Sequence, residues 1–335
     1  MPTIINLKKN IKANPMINPM INYEEQRDQD ISQTKVFNSL RIFLPEIRKN
    51  QIKFLYHGTY NVFEVKNKYI FRFPDNLFRN LKGVQLINHE VKMLKFIQKY
   101  ISIKIPEPIF ISREIENPFF GYEKIDGISL SKCYIKSSKS EKIRIVKDIS
   151  LFLSQLHSDR LVEKALSSQI VEEYLTPDKY KQTWQDFFDQ IRVNVFSLMN
   201  MHQKNWVSKL FKSFLQEEKN FNFTPAIIHG DFDTSNILVD PKTFMITGII
   251  DFEESRIFDP AADFIFYEEG DIFLKTLLSS YKGFKDENFR YRMKFLYGCT
   301  SLHYIKFGVE NNINDMIKAG FQKLNHVISK FKMIK

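Results

Sequence analysis

The chain has 335 residues, and its 49 lysines and arginines outnumber its 39 aspartates and glutamates, which gives a net charge of +10. A hydrophobic share of 43%, with 32 phenylalanines, supplies a large core and excludes a mostly disordered protein. The two cysteines, Cys133 and Cys299, are too few for a disulfide framework or a four-thiolate zinc site. There is no apolar run of about eighteen residues and no secretory signal pattern, so we expect a cytoplasmic protein without a membrane partner.

The first part of the chain is predicted to be strand-rich. Residues 1–50 form a polar N-terminal arm with a short helix from about Gln33 to Ile47. Short apolar segments separated by turn residues then predict antiparallel strands. The predicted strands are Ile52–Tyr56, Val62–Val65, Tyr69–Phe73, Ile109–Ser112 and Phe119–Ile125. Apolar residues at helical spacing predict one inserted helix over about Leu81–Tyr100, so residues 51–125 are expected to form a small α+β lobe.

Residues 126–335 are predicted to form a larger and mainly helical lobe. Helical periodicity indicates several long helices in this part of the chain. Three of these predicted helices are Glu141–Asp159, Lys179–Met201 and Trp206–Lys219. Between the helices lies a strand-rich segment, Ala226–Phe252, in which polar residues stand at the ends of apolar runs. Such polar strand ends are the first place to look for chemistry.

This segment reads IIHGDFDTSNILVD from Ile227 to Asp240, and a second apolar run delivers Asp251 fifteen residues after Asn236. The turn residues between the two runs predict a hairpin, whose geometry brings Asn236 and Asp251 together. A carboxylate and an amide oxygen suit Mg²⁺, which prefers oxygen ligands and completes its shell with phosphate oxygens. Asn236 and Asp251 are therefore predicted to hold magnesium.

The loop that enters this hairpin supplies the predicted catalytic residues. Asp231 is placed to accept a proton from an attacking hydroxyl group, and His229 is expected to brace the loop. A base, an amide ligand and a carboxylate ligand together make up the protein's part in phosphoryl transfer.

The pattern His-Gly-Asp-x-x-x-x-Asn, followed by Ile-Ile-Asp-Phe, resembles the aminoglycoside phosphotransferase and choline-kinase-like families, which are relatives of the protein kinases. The resemblance covers about residues 50–310. It implies a protein-kinase-like two-lobe α+β fold, with a five-stranded antiparallel sheet plus a helix in the small N-lobe and a mainly helical C-lobe. DPAADF at 259–264 and YEEGD at 267–271 are similar to the aminoglycoside 2''-phosphotransferases within that family.

The resemblance also implies a nucleotide side, for ATP or GTP. The turn at 57–61, with Gly58 and Asn61, stands where a phosphate-covering loop is expected. Arg72 occupies the position of the usual phosphate-contacting lysine; arginine stays charged and can fork onto two phosphate oxygens. Glu90 is the expected partner of Arg72. Backbone groups of Glu123 and Ile125 are implied to read the purine edge, which does not separate ATP from GTP.

The acidic residues that follow the catalytic motif indicate a cationic acceptor. Residues 251–271 hold eight acidic residues and one basic residue, and residues 226–271 have a net charge of −9, which leaves +19 for the rest of the chain. A polycationic amino sugar is attracted by such a cluster. The candidate ammonium contacts are Asp263, Glu268, Glu269 and, more weakly, Asp233. The resemblance implies that Asp259 braces the catalytic loop.

Other functions stay open at this point. A kinase of choline, a hexosamine or a macrolide would share the motif, although choline calls for an aromatic cage. Asp231, Asn236 and Asp251 argue against a non-catalytic kinase-like binding module, whereas Arg72 leaves it open. A nucleic-acid binder would show a concentrated basic stripe, and the basic residues here are dispersed. We therefore expect a magnesium-dependent aminoglycoside phosphotransferase, monomeric or weakly dimeric, with no nucleic-acid partner.

Overall fold

Five strands form one antiparallel sheet near the start of the computed structural model, which describes residues 28–78, 80–171 and 174–331. The strands are β1 Ile52–His57, β2 Tyr60–Val65, β3 Tyr69–Pro74, β4 Phe110–Ser112 and β5 Phe119–Glu123. Their order across the sheet is β1-β2-β3-β5-β4, so β3 lies at the centre. The tight turn between β2 and β3 places Lys66 and Asn67 at φ of 54° and 52°, the left-handed geometry that matches the twist of paired strands.

A helix covers each face of this sheet because side chains alternate between the two faces of a strand. Phe63 and Phe71 point to one face and pack against helix α1, Gln33–Arg41. Ile70 faces the other way, toward helix α2, Leu81–Ile97. The helix of the predicted arm is therefore the cover of the sheet's outer face, whereas residues 1–27 of that arm lie outside the described residues.

Two predicted helix ends in this lobe extend too far. Helix α1 ends at Arg41, not near Ile47, because Pro45 has no N–H to continue the helical bonds and disfavours helical geometry in Leu44. Helix α2 ends at Ile97, three residues before the predicted end.

Seven further helices are described in the C-terminal part. They are α3 Lys139–Leu156, α4 Asp159–Ser167, α5 Pro177–Asn194, α6 Met201–Leu215, α7 Asp271–Ser280, α8 Phe289–Glu310 and α9 Asn314–Lys330. Stacked aromatic rings hold α6 on α8, with the Phe214 and Phe295 ring centroids 3.5 Å apart. The helix predicted over 179–201 is present as α5, but it ends at Asn194, seven residues before the predicted end. Asn200 and Gln203 form a capping box, which starts the next helix at Met201 and not at the predicted Trp206.

Short strands shape the segment between these helices. They are β6 Ile128–Ser129, β7 Ala226–Ile228, β8 Ile237–Val239, β9 Ile246–Ile249 and β10 Arg256–Phe258. Strands β8 and β9 pair with Ile237 opposite Ile249, so the predicted hairpin is confirmed. Strand β6 adds to the edge of this hairpin, and β7 pairs with β10.

The structure confirms the predicted α+β, protein-kinase-like two-lobe fold. Within the described ranges, no helix is both long enough and apolar enough to cross a membrane.

Helix α1 offers a direct test of its place in the core. Leu40 is fully buried against the sheet, whereas Ile42, at the end of the same helix, is 67% exposed. We expect Leu40→Ala to lower the free energy of unfolding by about 2–5 kcal/mol, because it leaves a cavity. Ile42→Ala is the matched control and should change it by about 0.5 kcal/mol or less. Urea unfolding followed by circular dichroism measures both; equal effects would mean that α1 is not part of the folded core.

Candidate active site

Strand β7 leads into the catalytic loop at His229, Gly230 and Asp231. Gly230 has a φ of +92°, and a Cβ atom on it would lie 2.4 Å from the carbonyl oxygen of Glu254. Only glycine fits this backbone geometry and this space. The loop therefore turns sharply at Gly230 and presents the exposed side chain of Asp231 at its tip.

Asp263 anchors this loop through hydrogen bonds to its backbone. Its two carboxylate oxygens accept the backbone N–H groups of His229 at 2.7 Å and Gly230 at 3.0 Å. The His157 Nε2 lies 3.0 Å from the same carboxylate, and both side chains are fully buried. Asp263 is thus enclosed by its own chain, which corrects the prediction that it contacts the substrate. It is a positioning residue.

The bracing role that the resemblance implied for Asp259 belongs to Asp263. Asp259 is fully buried and accepts hydrogen bonds from the Tyr180 hydroxyl and Arg292 Nε, both at 2.8 Å. Arg292 also forks onto Asp286 at 2.7 Å. Asp259 therefore ties α5 to α8, one layer behind the catalytic loop.

His229 is held in place by two contacts beyond its backbone bond to Asp263. Its Nε2 lies 3.0 Å from the carbonyl oxygen of Ile250, next to Asp251, and its ring packs on Phe252 with centroids 4.5 Å apart. Burial lowers the pKa of His229, so its ring is neutral at pH 7. His229 thus joins the catalytic loop to the strand end that carries Asp251.

Asn236 and Asp251 lie side by side at the end of the β8–β9 hairpin. The Ile250 N–H donates to the Asn236 carbonyl oxygen at 3.0 Å. The Asn236 side-chain Nδ2 donates to the Asp231 carbonyl oxygen at 2.8 Å, so its amide oxygen remains as the ligand atom. An amide oxygen beside a carboxylate fits a hard cation such as Mg²⁺.

A buried cluster around Arg72 joins the two lobes. Arg72 Nη2 lies 2.5 Å from Asp251 Oδ1, 3.1 Å from Glu253 Oε2 and 3.5 Å from Glu90 Oε2. The Arg72 side chain is 2% exposed and that of Glu90 is 0% exposed. The structure thus places Arg72 beside its expected partner Glu90, and both lie next to Asp251, the predicted magnesium ligand.

One guanidinium carries a single positive charge, so it cannot compensate the charges of all three carboxylates. Burial raises the pKa of Glu90 to about 7, although Arg72 opposes that shift. Burial and the charge of Asp251 likewise raise the pKa of Glu253 well above its ordinary value. Burial disfavours a charged Arg72, but Asp251 and Glu90 hold its pKa well above the ordinary range, so it stays a cation. Proton uptake by Glu90 and Glu253 therefore relieves the excess negative charge, and a further cation at the cluster would favour their ionised forms.

Two predicted nucleotide residues lie at the turn between β1 and β2: Gly58 in the turn itself, and Asn61 as the second residue of β2. The Gly58 N–H donates to the Tyr60 carbonyl oxygen at 3.0 Å, which closes the turn. The Asn61 side chain is fully buried: its Oδ1 accepts from the Asp30 N–H at 3.0 Å and its Nδ2 donates to Asp30 Oδ1 at 2.5 Å. Asn61 is therefore engaged within the chain, which corrects its prediction as a direct nucleotide contact.

Of the predicted hinge residues, Glu123 is the last residue of β5, and Ile125 follows two residues later. Glu123 is exposed, and its side chain forms an ion pair with Lys68 at 3.4 Å. Ile125 is buried against Gly248 of β9, where a Cβ atom would lie 2.7 Å from the Ile125 side chain. The hinge thus touches the strand that leads to Asp251.

The acidic residues predicted to bind the acceptor differ in how many hydrogen bonds they make within the chain. Glu268 accepts from the Tyr297 hydroxyl, from His326 Nε2 at 3.0 Å and from Lys330 Nζ at 3.0 Å. Glu268 is therefore largely neutralised by its own chain.

Glu269 and Asp233 lie closer to the catalytic loop. Glu269 accepts from the Thr234 hydroxyl at 3.1 Å, and burial, helped by the charge of Asp233, raises the pKa of Glu269 to about 7. Asp233 Oδ1 accepts the Ser235 N–H at 2.7 Å and stays partly exposed. Because Glu269 gains charge as the pH rises through about 7, its attraction for a cation rises as well.

Sequence reasoning did not select several residues that the structure brings to the site. Glu253 was counted in the sequence only as one of the acidic residues of 251–271, but in the structure it accepts a hydrogen bond from Arg72 at 3.1 Å. His157, which holds Asp263, lies in a helix end with no motif, so nothing in the sequence indicated it. Lys323 of α9 lies within electrostatic reach of Asp231, Asp233, Glu268 and Glu269.

Asp263→Asn tests the anchor. Burial acts to raise the pKa of Asp263, but the hydrogen bonds from His157 and Gly230 hold it below its ordinary value. A carboxylate with a lowered pKa stabilises the fold at neutral pH and loses that effect as the pH falls through its folded pKa. We expect Asp263→Asn to cost about 3–5 kcal/mol at pH 7, because it leaves buried donors without their charged acceptor.

Urea unfolding at several pH values measures this cost, which should begin to shrink below about pH 4, where the unfolded chain takes up a proton, and be lost as the pH falls through the lower folded pKa of Asp263. The matched control is Asp271→Asn, an exposed aspartate in the first turn of α7, which should cost about 1 kcal/mol or less. A cost for Asp263→Asn that does not vary with pH would contradict the role of its charge.

Solved structures share the fold of this chain. The GDP complex of wild-type aminoglycoside 2'-phosphotransferase-IIIa aligns over 90% of this chain and 99% of its own, with 21% identity and a TM-score of 0.78. The gentamicin complex of APH(2")-IIa aligns over 89% and 97%, with 20% identity and a TM-score of 0.65. Macrolide 2'-phosphotransferase MphH from Brachybacterium faecium aligns over 87% and 98%, with 14% identity and a TM-score of 0.67.

Sequence comparison reaches the same family. Protein YcbJ of Bacillus subtilis (strain 168), itself uncharacterized, is 24% identical over 182 residues, which are 52% of this chain. The match spans 55% of YcbJ, so the chain covers about half the length of that relative. The model of the phosphotransferase enzyme family matches residues 51–271, which contain Arg72, Glu90 and the whole catalytic hairpin. The resemblance inferred from the motif is thereby confirmed, and the chain belongs to the phosphotransferase enzyme family.

Proposed function

We propose that this protein transfers the γ-phosphate of ATP or GTP to a hydroxyl group of an aminoglycoside, as a 2''-type O-phosphotransferase. The observation that carries the proposal is the shared position of Asp231, Asn236 and Asp251 at one end of the β8–β9 hairpin, next to buried Arg72. Proteins of the same fold have been solved with GDP, with ATP and with aminoglycosides, which supports this assignment of both substrates.

Asp231 is the group that meets the acceptor. It stands exposed at the tip of a loop fixed by Asp263, so an acceptor hydroxyl can reach its carboxylate. Asp231 orients that hydroxyl and takes its proton as the oxygen attacks the γ-phosphorus, while the bond from the γ-phosphorus to the β–γ bridging oxygen breaks and the nucleoside diphosphate leaves. The Asn236 Nδ2 lies 3.4 Å from Asp231 Oδ2 and helps to hold the carboxylate in place. Since the transition state of phosphoryl transfer is loose, this positioning supplies much of the rate.

The nucleotide phosphates meet the buried cluster. Asn236 and Asp251 would hold Mg²⁺, which neutralises charge on the phosphate oxygens when it is bound. Arg72 is bonded to Asp251 and Glu253, and its guanidinium has further N–H groups to offer phosphate oxygens. Glu90, fully buried beside Arg72, keeps the guanidinium at the lobe interface.

Asp231→Asn tests the catalytic assignment. An amide cannot take up the proton of the acceptor hydroxyl, so we expect kcat to fall by a factor of about 10²–10⁴. The thermal midpoint and the binding of nucleotide should stay as in the unmodified protein. Turnover is measured in a coupled assay with ATP and with GTP against a panel of aminoglycosides, choline, hexosamines and macrolides. Asp178→Asn, an exposed aspartate in the first turn of α5, is the control and should leave turnover unchanged.

Two outcomes would contradict different parts of the proposal. Turnover of Asp231→Asn close to that of the unmodified protein would exclude Asp231 as the base. Nucleotide hydrolysis that no aminoglycoside accelerates would exclude the assigned acceptor class while leaving the phosphotransferase chemistry intact.

A second candidate acceptor carries less positive charge, as a macrolide does. It is favoured by the basic face of α9: Lys323, His326 and Lys330 recur at i, i+3 and i+7 and so lie on one side of the helix. His326 and Lys330 bind Glu268, and Lys323 lies within electrostatic reach of Asp231 and Asp233. The chain's own cations therefore compensate part of the acidic charge that a polycationic acceptor would use.

Lys323→Met separates the two acceptor classes. Burial already lowers the pKa of Lys323, against the opposing effect of the nearby carboxylates. We expect loss of its charge to lower the KM for a polycationic aminoglycoside by about tenfold, which corresponds to about 1.4 kcal/mol of removed repulsion. The KM for a macrolide should change by less than about twofold. Lys318→Met, an exposed lysine of the same helix, is the control. Equal shifts for both acceptors would mean that Lys323 does not set acceptor charge.

A further inference from the structure

A second buried polar cluster lies outside the active site, between the segment that precedes α1 and the turn that joins β1 to β2. Its side chains are those of Asp30, His57, Asn61 and Asp75, which we call the N-terminal latch. His57 and Asp75 are 1% and 2% exposed, and Asn61 is fully buried. Asp30 is partly exposed and belongs to the N-terminal segment, whereas the other three flank the ends of β1, β2 and β3.

Hydrogen bonds hold the two sides of the latch together. Asp30 exchanges two bonds with Asn61, through its N–H and its Oδ1, and its Oδ2 accepts the Asn76 N–H at 2.8 Å. His57 Nδ1 lies 2.6 Å from the Asp28 carbonyl oxygen, and His57 Nε2 lies 2.7 Å from Asp75 Oδ2. Three of these contacts, two between Asp30 and Asn61 and one between Asp28 and His57, thus tie a segment of the N-terminal arm to residues 57–61, and the bond from Asn76 to Asp30 ties it to the end of β3.

The imidazole–carboxylate composition also resembles a metal site, since one ligand atom each of Asp30, His57 and Asp75 lie within 4.8 Å of one another. Each of these atoms, however, is already engaged in this structure. Asp30 Oδ2 accepts the Asn76 N–H, and Asp75 Oδ2 faces His57 Nε2. Hydrogen bonds therefore account for the whole arrangement, and the latch is held by them.

The latch reaches the active site through Tyr60. Tyr60 follows His57 by three residues and directly precedes Asn61, so latch residues lie on both sides of it in the chain. Its buried ring lies against the Arg72 guanidinium, with 4.2 Å from the guanidinium carbon to the ring centroid. Arg72 in turn bonds Asp251 at 2.5 Å. A continuous series of contacts therefore runs from Asp30 to the predicted magnesium ligand.

We propose that the N-terminal latch positions the β1–β2 turn and, through Tyr60, orients Arg72 toward the nucleotide phosphates. Asp30 and His57 are positioning residues in this role, and neither contacts the substrate. In this role a segment before the family region contributes to the nucleotide side: the family match begins at residue 51, and Asp30 lies outside it. The role at the phosphates rests on the proposed nucleotide-dependent function.

Asp30→Ala in the full chain tests this proposal with two readouts. Hydrogen exchange of the amides at residues 57–61, measured without nucleotide, should become at least about tenfold faster, because bonds to a charged group are lost. The KM for ATP or GTP should rise by about tenfold, whereas the KM for the acceptor should change by less than about twofold. A residue that only stabilises the fold would not separate the two KM values in this way.

Ser32→Ala is the matched control. Ser32 lies two residues from Asp30 and caps α1 by accepting the Lys35 N–H, but it makes no bond to the β1–β2 turn. The thermal midpoint of the Ser32→Ala protein should fall. Hydrogen exchange of the amides at residues 57–61 and both KM values should stay unchanged. If Asp30→Ala does not fold, Asp30→Asn keeps the shape of the side chain without its charge and should show the same split at a smaller amplitude.

Three results would overturn the proposal. Unchanged exchange at residues 57–61 in a folded Asp30 variant would exclude the latch itself. An equal rise of both KM values would reduce it to a contribution to stability. A thermal midpoint that falls with EDTA and is restored by Zn²⁺, but only when Asp30 is present, would make the cluster a metal site instead. If the unmodified protein binds no nucleotide, the proposed function fails, and the exchange experiment still decides whether the latch orders the turn.

Discussion

The buried guanidinium of Arg72 is the contact on which the arrangement of the two lobes depends. It is contributed by the central strand of the N-lobe sheet, yet its closest partners, Asp251 and Glu253, belong to the C-lobe. Desolvating a cation is costly unless carboxylates surround it, and here three do so. The same requirement fixes the relative position of β3, helix α2 and the end of β9. A lysine, which has one nitrogen on a flexible stem, would not present the same planar set of donors.

Behind that contact, a second buried network fixes the catalytic loop. Asp263 replaces water for two backbone N–H groups that the sharp turn at Gly230 leaves without a strand partner. Asp259 likewise accepts buried hydrogen bonds, from Tyr180 of α5 and Arg292 of α8, and so joins these two helices behind the loop. The two aspartates of the DPAAD stretch therefore act through hydrogen bonds, and the exposed Asp231 owes its fixed position to them. Positioning of this kind is what a loose transition state requires.

Charge is distributed unevenly along the chain, and the structure changes its meaning. The net charge of +10 combines an acidic segment at 226–271, of net charge −9, with a basic remainder. Several acidic residues of that segment form ion pairs within the chain. Asp259 and Asp263 pair with buried side chains, and Glu268 pairs with the basic face of α9. Glu269 and Asp233 retain exposure beside Asp231. The acceptor cleft is thus less acidic than the sequence segment that forms it, because basic residues remote in sequence fold onto it.

The sequence by itself determined the family, the two-lobe α+β fold and the hairpin with Asn236 and Asp251 at its end. These features depend on local spacing, since a turn between two apolar runs fixes which residues meet. The family resemblance also identified Arg72 and its expected partner Glu90. Some helix ends were missed where local signals, such as the Asn200 capping box, were not recognised.

Only the tertiary structure decided which acidic residues are available to a ligand. Asp263 and Asp231 are both aspartates near apolar segments, and no pattern distinguishes one that is fully buried from one that is exposed. Asn61 stands in the expected turn, but its partner Asp30 lies 31 residues away, in a segment with no motif. Burial and long-range pairing depend on contacts between elements distant in sequence, so they are decided when the lobes pack and not by the residues on either side.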